Sequence, residues 1–356
     1  MTTHVEDIRI RQERAAEWIA EAEKHIRAAK SLLRQEGLQN IVLYHLQQSM
    51  EMGTKGLGRA SGIPHHKLRT EFGHNNLFLL VRIVQAVADS MDGHKLISEV
   101  LASFHREGKN YDSARHIQNV LEATASPRRV KAFGSKQYAS EVFTSGMRMP
   151  PEEVKFMLDS FDRMSSRVPP RATQLIRKLT ADPIYFQLPT SSVDWTDDIV
   201  RQATEKLHSR IGRRPNPAEV DFLQSIARSV LDQEGIEAEL RANEGKPYKF
   251  DFVGHELVEQ AVGIPHMLLA NLGLLIVGSL VWAHESYPRY PAEPDAPDSI
   301  EQAARERKLG VKHYTDEMGV IRHIKPLTAK ADKTIRLLKS GYKAGYLLMS
   351  AKDANP

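Results

Sequence analysis

Four arginines in this chain are followed by a histidine after four to six intervening residues. They are Arg59 with His65 or His66, Arg69 with His74, Arg201 with His208, and Arg307 with His313. Such a pair has a definite chemistry. Imidazole titrates near neutrality and can carry a proton between two oxygens, while a guanidinium beside it holds developing negative charge. Spacing alone does not choose among them: with 28 arginines and 15 histidines, about three or four such matches arise by accident. Other chemistry is sparse. Glu71 with His74 and Glu205 with His208 have a carboxylate-bundle spacing, but no companion glutamates are placed. His255 with Glu259 misses the zinc-protease pattern, because a glutamate stands where the second histidine belongs, and His65 and His66 read as loop residues. GTKGLGRASG lacks the Lys-Ser or Lys-Thr ending of a phosphate loop, and no G-x-S-x-G elbow occurs. No metal and no cofactor is therefore expected.

Placement must rank the pairs, and the stretch Tyr44 to Leu80 does most to fix placement. From Ile41 to about Ala60 it reads as a helix in which Ser49, Gly53, Gly56 and Ala60 recur three or four apart, giving one side that a neighbour can approach closely. A glycine in a helix costs roughly 1 kcal/mol against alanine, so two of them imply close packing in return. Gly58, Gly62 and Pro64 predict a loop, and a helix restarts near Gly73 to Asn76 ahead of Leu77, Phe78, Leu80, Val81 and Val84.

His45, Gln47, Gln48, Glu51, Lys55 and Leu57, followed by His74, Leu77 and Leu80, resemble the signature of the HEPN superfamily, the abortive-infection (phage-resistance) branch most of all. Tyr287, Arg289, Tyr290 and Pro291 look like the turn that precedes that family's last helix, one residue shorter. The resemblance is strongest over residues 12–90, with a second match at 284–350. It implies an all-α fold: an antiparallel four-helix bundle elaborated by additional helices. It also implies a metal-independent endoribonuclease acting as a homodimer, in which an arginine and a histidine act on an RNA phosphodiester across the dimer interface. Within the resembling stretch those residues are Arg69 and His74, although His74 is equally the helix-start histidine that caps and packs. After the third helix, where the family's pair normally lies, His105, Arg106, Arg115 and His116 lack the spacing.

The elements that carry these residues follow from periodicity. Ala15, Trp18, Ala22, Ile26, Ala29 and Leu33 predict a first helix from about Gln12 to Gln35, ended by Gly37, and the short link makes the second helix its antiparallel neighbour. Helices are also predicted over 75–90, 96–107, 110–125, 150–165, 170–180, 196–211 and 217–243. One more begins at Ser299, where Gln302 suits a capping box, and another spans Leu327 to Met349. Pro183 to Asp194 reads as extended loop, and no sustained alternation predicts a sheet. Ala261 to Ala283 carries no formal charge and is long enough to span a bilayer. Pro265, His266 and Asn271 favour instead a helix buried on all sides in a bundle. Three regions result: 1–125 HEPN-like, 126–250 an insertion or second helical region, and 251–356 carboxy-terminal helices that complete the bundle if the middle is an insertion.

Composition sets the remaining bounds. The chain has 356 residues, 41% hydrophobic and 26% charged, as in ordinary globular proteins. It has no cysteine, which excludes disulfides and thiolate metal sites and accords with a reducing cytosol. The charged amino terminus predicts no export signal, hence a cytoplasmic location. A net charge of +4 and a pI near 9.0 permit nucleic-acid binding. Arg210, Arg213 and Arg214 form a basic run at a predicted helix end, and Arg289 between two tyrosines is placed to contact a ligand or close a turn. These four are the candidate nucleic-acid or nucleotide contacts, and the lysines of the last helix read as a solvated face. The reading is a HEPN-like endoribonuclease of a defence or toxin–antitoxin type, with RNA or nucleotide, a second copy and a partner protein or antitoxin as partners. The alternative is a non-catalytic nucleotide-, RNA- or protein-binding helical module.

Overall fold

The computed structural model describes residues 2–73, 78–83, 149–166, 184–188, 195–217, 219–221, 224, 240–250, 255–284, 294–306 and 308–342. The chain forms two compact units, Met1–Met164 with His266–Pro356, and Ser165–Pro265.

In the first unit, α1 (Thr2–Leu32) and α2 (Gln39–Ala60) are joined through Gly37, whose φ of 77° suits a residue without a Cβ. α1 buries Ala15, Ile19, Ala22, Ile26 and Ala29, an apolar stripe at three- and four-residue intervals. Ala15 meets Gly56, Ser49 Oγ donates to Ala22 O at 3.0 Å, and His25 meets His45. The two helices are therefore antiparallel. α3 (His65–Thr70) starts directly after Pro64, inside what the sequence reads as a loop. Pro64 can precede a helix although it cannot continue one, and Leu68 anchors this single turn against Gly58. α4 (Pro151–Ser165) buries Val154, Met157, Leu158 and Phe161.

Two later helices complete the packing, α6 (His255–Val281) and α9 (Ile324–Gly341). Lys30 pairs with Asp332 at 2.8 Å and Glu23 with Lys339 at 2.9 Å, so α9 runs antiparallel to α1. His266 bonds Ser340 at 2.9 Å, and Gly273 lies against Thr334 and Phe161, so α6 runs antiparallel to α9. α1, α2, α6 and α9 thus make an antiparallel four-helix arrangement, with α4 against α6 and α9. The small-residue side of α2 is spent here: a methyl on Gly53 would lie 2.8 Å from Ile335 Cδ1 and 3.3 Å from Leu274 Cδ2, and one on Gly56 3.0 Å from Ile19 Cγ1.

Residues 273–281 of α6 are all buried, as a bundle core requires, and among the described residues no helix is long and apolar enough to cross a membrane. α7 (Ile300–Glu306) and α8 (Gly319–Arg322) are short connectors. Ser299 Oγ caps α7 by accepting from Gln302 N at 3.1 Å, but the Gln302 side chain turns to Glu306 at 2.8 Å, so the capping box is half made.

The second unit corrects the expectation of no sheet. β1 (Ile184–Gln187) and β2 (Pro247–Phe250) pair antiparallel, Ile184 opposite Phe250 and Gln187 opposite Pro247. α5 (Trp195–Ile211) supplies Gln202, whose amide accepts from Gln187 N at 2.9 Å and donates to Gln187 O at 2.8 Å. That side chain pairs with the end of β1 as a strand residue would. Among the described residues the protein is otherwise all-α.

Candidate functional site

The signature residues of α2 sit three or four apart and fall on one side of the helix. There they build a polar row rather than an open catalytic surface. Gln48 Nε2 donates to Gln47 Oε1 at 2.6 Å, Gln47 Nε2 to Glu51 Oε2 at 3.2 Å, and Lys55 Nζ to Glu51 Oε1 at 2.6 Å. The Glu51 and Lys55 side chains are 1% and 9% exposed, so water contributes little to either charge. Lys55 Nζ also lies 5.7 Å over the Trp18 ring, a cation–π contact from α1. A buried carboxylate and ammonium are tolerable only when paired and hydrogen-bonded, and this network meets both conditions.

At the edge of the network, His25 of α1 and His45 of α2 bring their Nδ1 atoms to 2.9 Å, with ring centroids 5.2 Å apart. Both rings are half-buried, and the Tyr44 ring lies 5.3 Å from His45. Burial pushes the His25 pKa below the usual 6.5, against an upward pull from Glu21 and Glu51. Burial likewise lowers His45, and the neighbouring His25 lowers it further. His45 belongs to the signature. His25 carries no sequence signal, because its partner is 20 residues away and only the antiparallel register brings them together.

The four arginine–histidine pairs are now distinguishable. Arg59 gives Nη1 to Ile63 O at 2.8 Å and so closes the loop before α3. Arg201 is held by Asp198 at 2.6 Å and Glu205 at 3.1 Å, and the Asp198 hydrogen bond leads in raising its pKa. His313 is buried, with Nε2 2.8 Å from Pro297 O and Nδ1 accepting from Gly310 N at 3.3 Å; Arg307 lies outside the described residues. Arg69 differs from these. It stands exposed on α3, with no hydrogen-bond or ion-pair partner among the described residues, five positions before His74, which itself lies outside them. His65, one turn earlier on α3, stacks on Trp18 at 5.8 Å.

The candidate nucleic-acid contacts separate as well. Arg213 is an internal fastener: its two guanidinium nitrogens reach Glu219 Oε1 at 2.6 Å and Oε2 at 2.8 Å. Glu219 Oε2 accepts Asn216 N, and Asn216 Oδ1 accepts Glu219 N, both at 2.9 Å. This is a capping box with an arginine clamped onto it. Arg210 is in the last turn of α5, Arg214 is exposed beyond it, and Arg289 lies outside the described residues.

The basic side chains of α9 are divided: Lys325, Arg336 and Lys339 are exposed as a solvated face would be, whereas Lys330 and Lys333 are partly covered. Lys330 pairs with Asp162 of α4 at 2.5 Å, Lys339 with Glu23 of α1, and Arg336 with Asp332 at 2.5 Å. Lys333 lies 5.7 Å over Phe161, and desolvation lowers its pKa. Among the described residues no group of three or more His, Asp or Glu side chains could hold a metal ion.

An antiparallel helical bundle whose second helix buries a Gln-Gln-x-x-Glu-x-x-x-Lys row defines a class of all-α domain. Residues 15–100, which hold most of α1, all of α2 and α3 and the helical segment 78–83, match the family model described as HEPN domain, so this part of the chain is a HEPN domain. No curated protein and no solved structure matches it.

Proposed function

We propose that this protein is a metal-independent endoribonuclease of a defence or toxin–antitoxin system, acting in the cytoplasm as a homodimer, with Arg69 and His74 as its catalytic pair. The observation that carries the reading is the state of Arg69. Of the arginines in the four pairs, Arg59 is bonded to the Ile63 carbonyl and Arg201, though exposed, is paired with Asp198 and Glu205, whereas Arg69 is solvent-facing with no such partner among the described residues, on a short helix within the HEPN domain. A solvent-facing guanidinium at that place can meet a phosphate as a charge-assisted donor and stabilise the phosphorane while an imidazole moves the proton of the ribose hydroxyl. Across a dimer interface, the pair would face the same pair of a second copy.

The test is cleavage of total RNA and transfer RNA by purified protein, with chelator and no added metal, comparing wild type with Arg69→Ala and His74→Ala. Cleavage by wild type alone supports the assignment. Cleavage retained by both variants refutes the site, and no cleavage by any of them favours the alternative, a non-catalytic module that binds RNA, nucleotide or a protein. Arg210, Arg214 and Arg289 are the contacts to test under that alternative, because Arg213 is engaged by Glu219.

A further inference from the structure

Neither the proposed ribonuclease chemistry nor the buried Glu51–Lys55 pair uses the two histidines that meet between α1 and α2. Two imidazole nitrogens at 2.9 Å are in hydrogen-bond contact, which requires one ring to donate Nδ1–H and the other to present its lone pair. The same arrangement is close to that of two imidazoles sharing a metal ion. Zinc–nitrogen bonds of about 2.0–2.1 Å at a tetrahedral angle place the two nitrogens about 3.3 Å apart, so the rings need part by only about 0.4 Å. We propose that His25 and His45 form a two-histidine site for a borderline divalent cation of the zinc class, which would clamp α1 to α2.

Three features favour a metal ion over a second proton. Two imidazolium rings at this distance would repel each other, whereas one divalent ion sits between two neutral rings. Both rings are half-buried rather than sealed, so an ion can reach the pair from solvent. The field at the pair is also favourable to a cation, since Glu21 on α1 and Glu51 on α2 both act on His25, with Lys24 on Glu21 and Lys55 on Glu51 as the countering charges. Imidazole is a good ligand for zinc. Among the described residues no third side chain converges on the rings, so water would complete the coordination. Glu21, exposed and one turn before His25, is placed to swing in.

The experiment titrates Zn2+ into the full chain by calorimetry and reads the histidine rings by 15N-edited NMR, which identifies the tautomer of each. The expected result is one Zn2+ bound per chain at micromolar concentration, with both rings converted to the tautomer that carries hydrogen on Nε2 and metal on Nδ1. His25→Gln and His45→Gln should each weaken binding at least tenfold while their circular dichroism and metal-free melting profiles stay close to wild type. The ring spectra of the wild-type protein answer the question even if one variant folds poorly. Absence of micromolar binding, or Zn2+ binding that leaves the tautomers of these two rings unchanged, overturns the proposal.

Discussion

Replacing Lys55 by methionine gives the sharpest test of how α2 is built. Methionine keeps an unbranched apolar chain over the Trp18 ring but removes the ammonium that lies 2.6 Å from Glu51 Oε1. Glu51, at 1% side-chain exposure, then loses that charge-assisted bond, which the neutral donor Gln47 Nε2 at 3.2 Å does not replace. Breaking a buried pair from one side costs about 3–5 kcal/mol, because the stranded charge keeps its desolvation penalty. Lys55→Met should therefore destabilise the α1–α2 pairing by about that amount. Hydrogen exchange by mass spectrometry reads it locally, and at about 1.4 kcal/mol per tenfold change the α2 amides should exchange on the order of a hundred- to a few-thousand-fold faster. Adding Glu51→Gln removes the stranded charge while keeping an acceptor for Gln47. The double variant should return to within about 1–2 kcal/mol of wild type. If Lys55→Met costs less than about 1 kcal/mol, or if the double variant is as unstable as the sum of the singles, burial has not made Glu51 depend on Lys55.

Other perturbations separate packing, capping and titration. Gly56→Ala should cost about 1–3 kcal/mol despite the helix-propensity gain, because its methyl would meet Ile19 Cγ1 at 3.0 Å, Trp18 Cβ at 3.2 Å and the Ala15 carbonyl at 3.3 Å, and thermal melting would show it. Gly319→Ala should be worse than Gly56→Ala in the same assay, since its methyl would lie 2.5 Å from the Met149 carbonyl oxygen, a backbone atom that cannot rotate away. Arg213→Ala should lower the melting temperature by loosening the Asn216–Glu219 capping box, with no change in RNA affinity in a filter-binding assay. The first unit should lose stability in acid. His284, wholly buried beside Tyr314, has its pKa pushed down to about 3, so below the ordinary 6.5 the unfolded chain takes up a proton that the folded chain refuses. Its contribution is fully present above pH 6.5 and declines as pH falls toward 3, with a slope approaching about 1.4 kcal/mol per pH unit. His284→Gln should flatten the slope of stability against pH in that window.

The elements with sustained apolar periodicity were legible in the sequence: α2 ends at Ala60, α5 at Ile211 and α4 at Ser165, as the periodicity and breakers predict. What escaped was either short or dependent on distant partners. β1 and β2 are four residues each, too few for alternation to register, and they pair across more than sixty residues. α3 was hidden by the turn chemistry of Gly62 and Pro64, which marks a loop but does not forbid one helical turn after it. His25 became visible as the partner of His45 only through the antiparallel register. Arg213 is a different case, because Asn-Pro-Ala-Glu at 216–219 is a capping-box pattern with proline at the first helical position. That pattern placed Glu219 within reach of a nearby arginine, and a basic run beside an unassigned box glutamate is better read as an internal ion pair than as a phosphate contact.

The same reasoning bears on where activity can reside. The residues that carry the HEPN match are recognisable because they are constrained, and they are constrained because Gln47, Glu51 and Lys55 are buried in one network whose members satisfy one another. A buried ammonium already committed to a carboxylate and an indole cannot also greet a phosphate. The signature therefore defines the scaffold. Chemistry on a polymer such as RNA has to come from side chains that the scaffold leaves facing solvent; of the arginines in the candidate pairs, Arg69 and Arg201 both face solvent among the described residues, but Arg201 is paired with Asp198 and Glu205. Scaffold and catalytic competence are thus separable by mutation: Lys55→Met should destabilise the α1–α2 pairing, whereas Arg69→Ala should leave the melting temperature unchanged and, on the proposed function, abolish cleavage. If Arg69→Ala instead melts the protein while the surviving fold still cleaves RNA, Arg69 belongs to the scaffold, and the catalytic pair must be sought elsewhere.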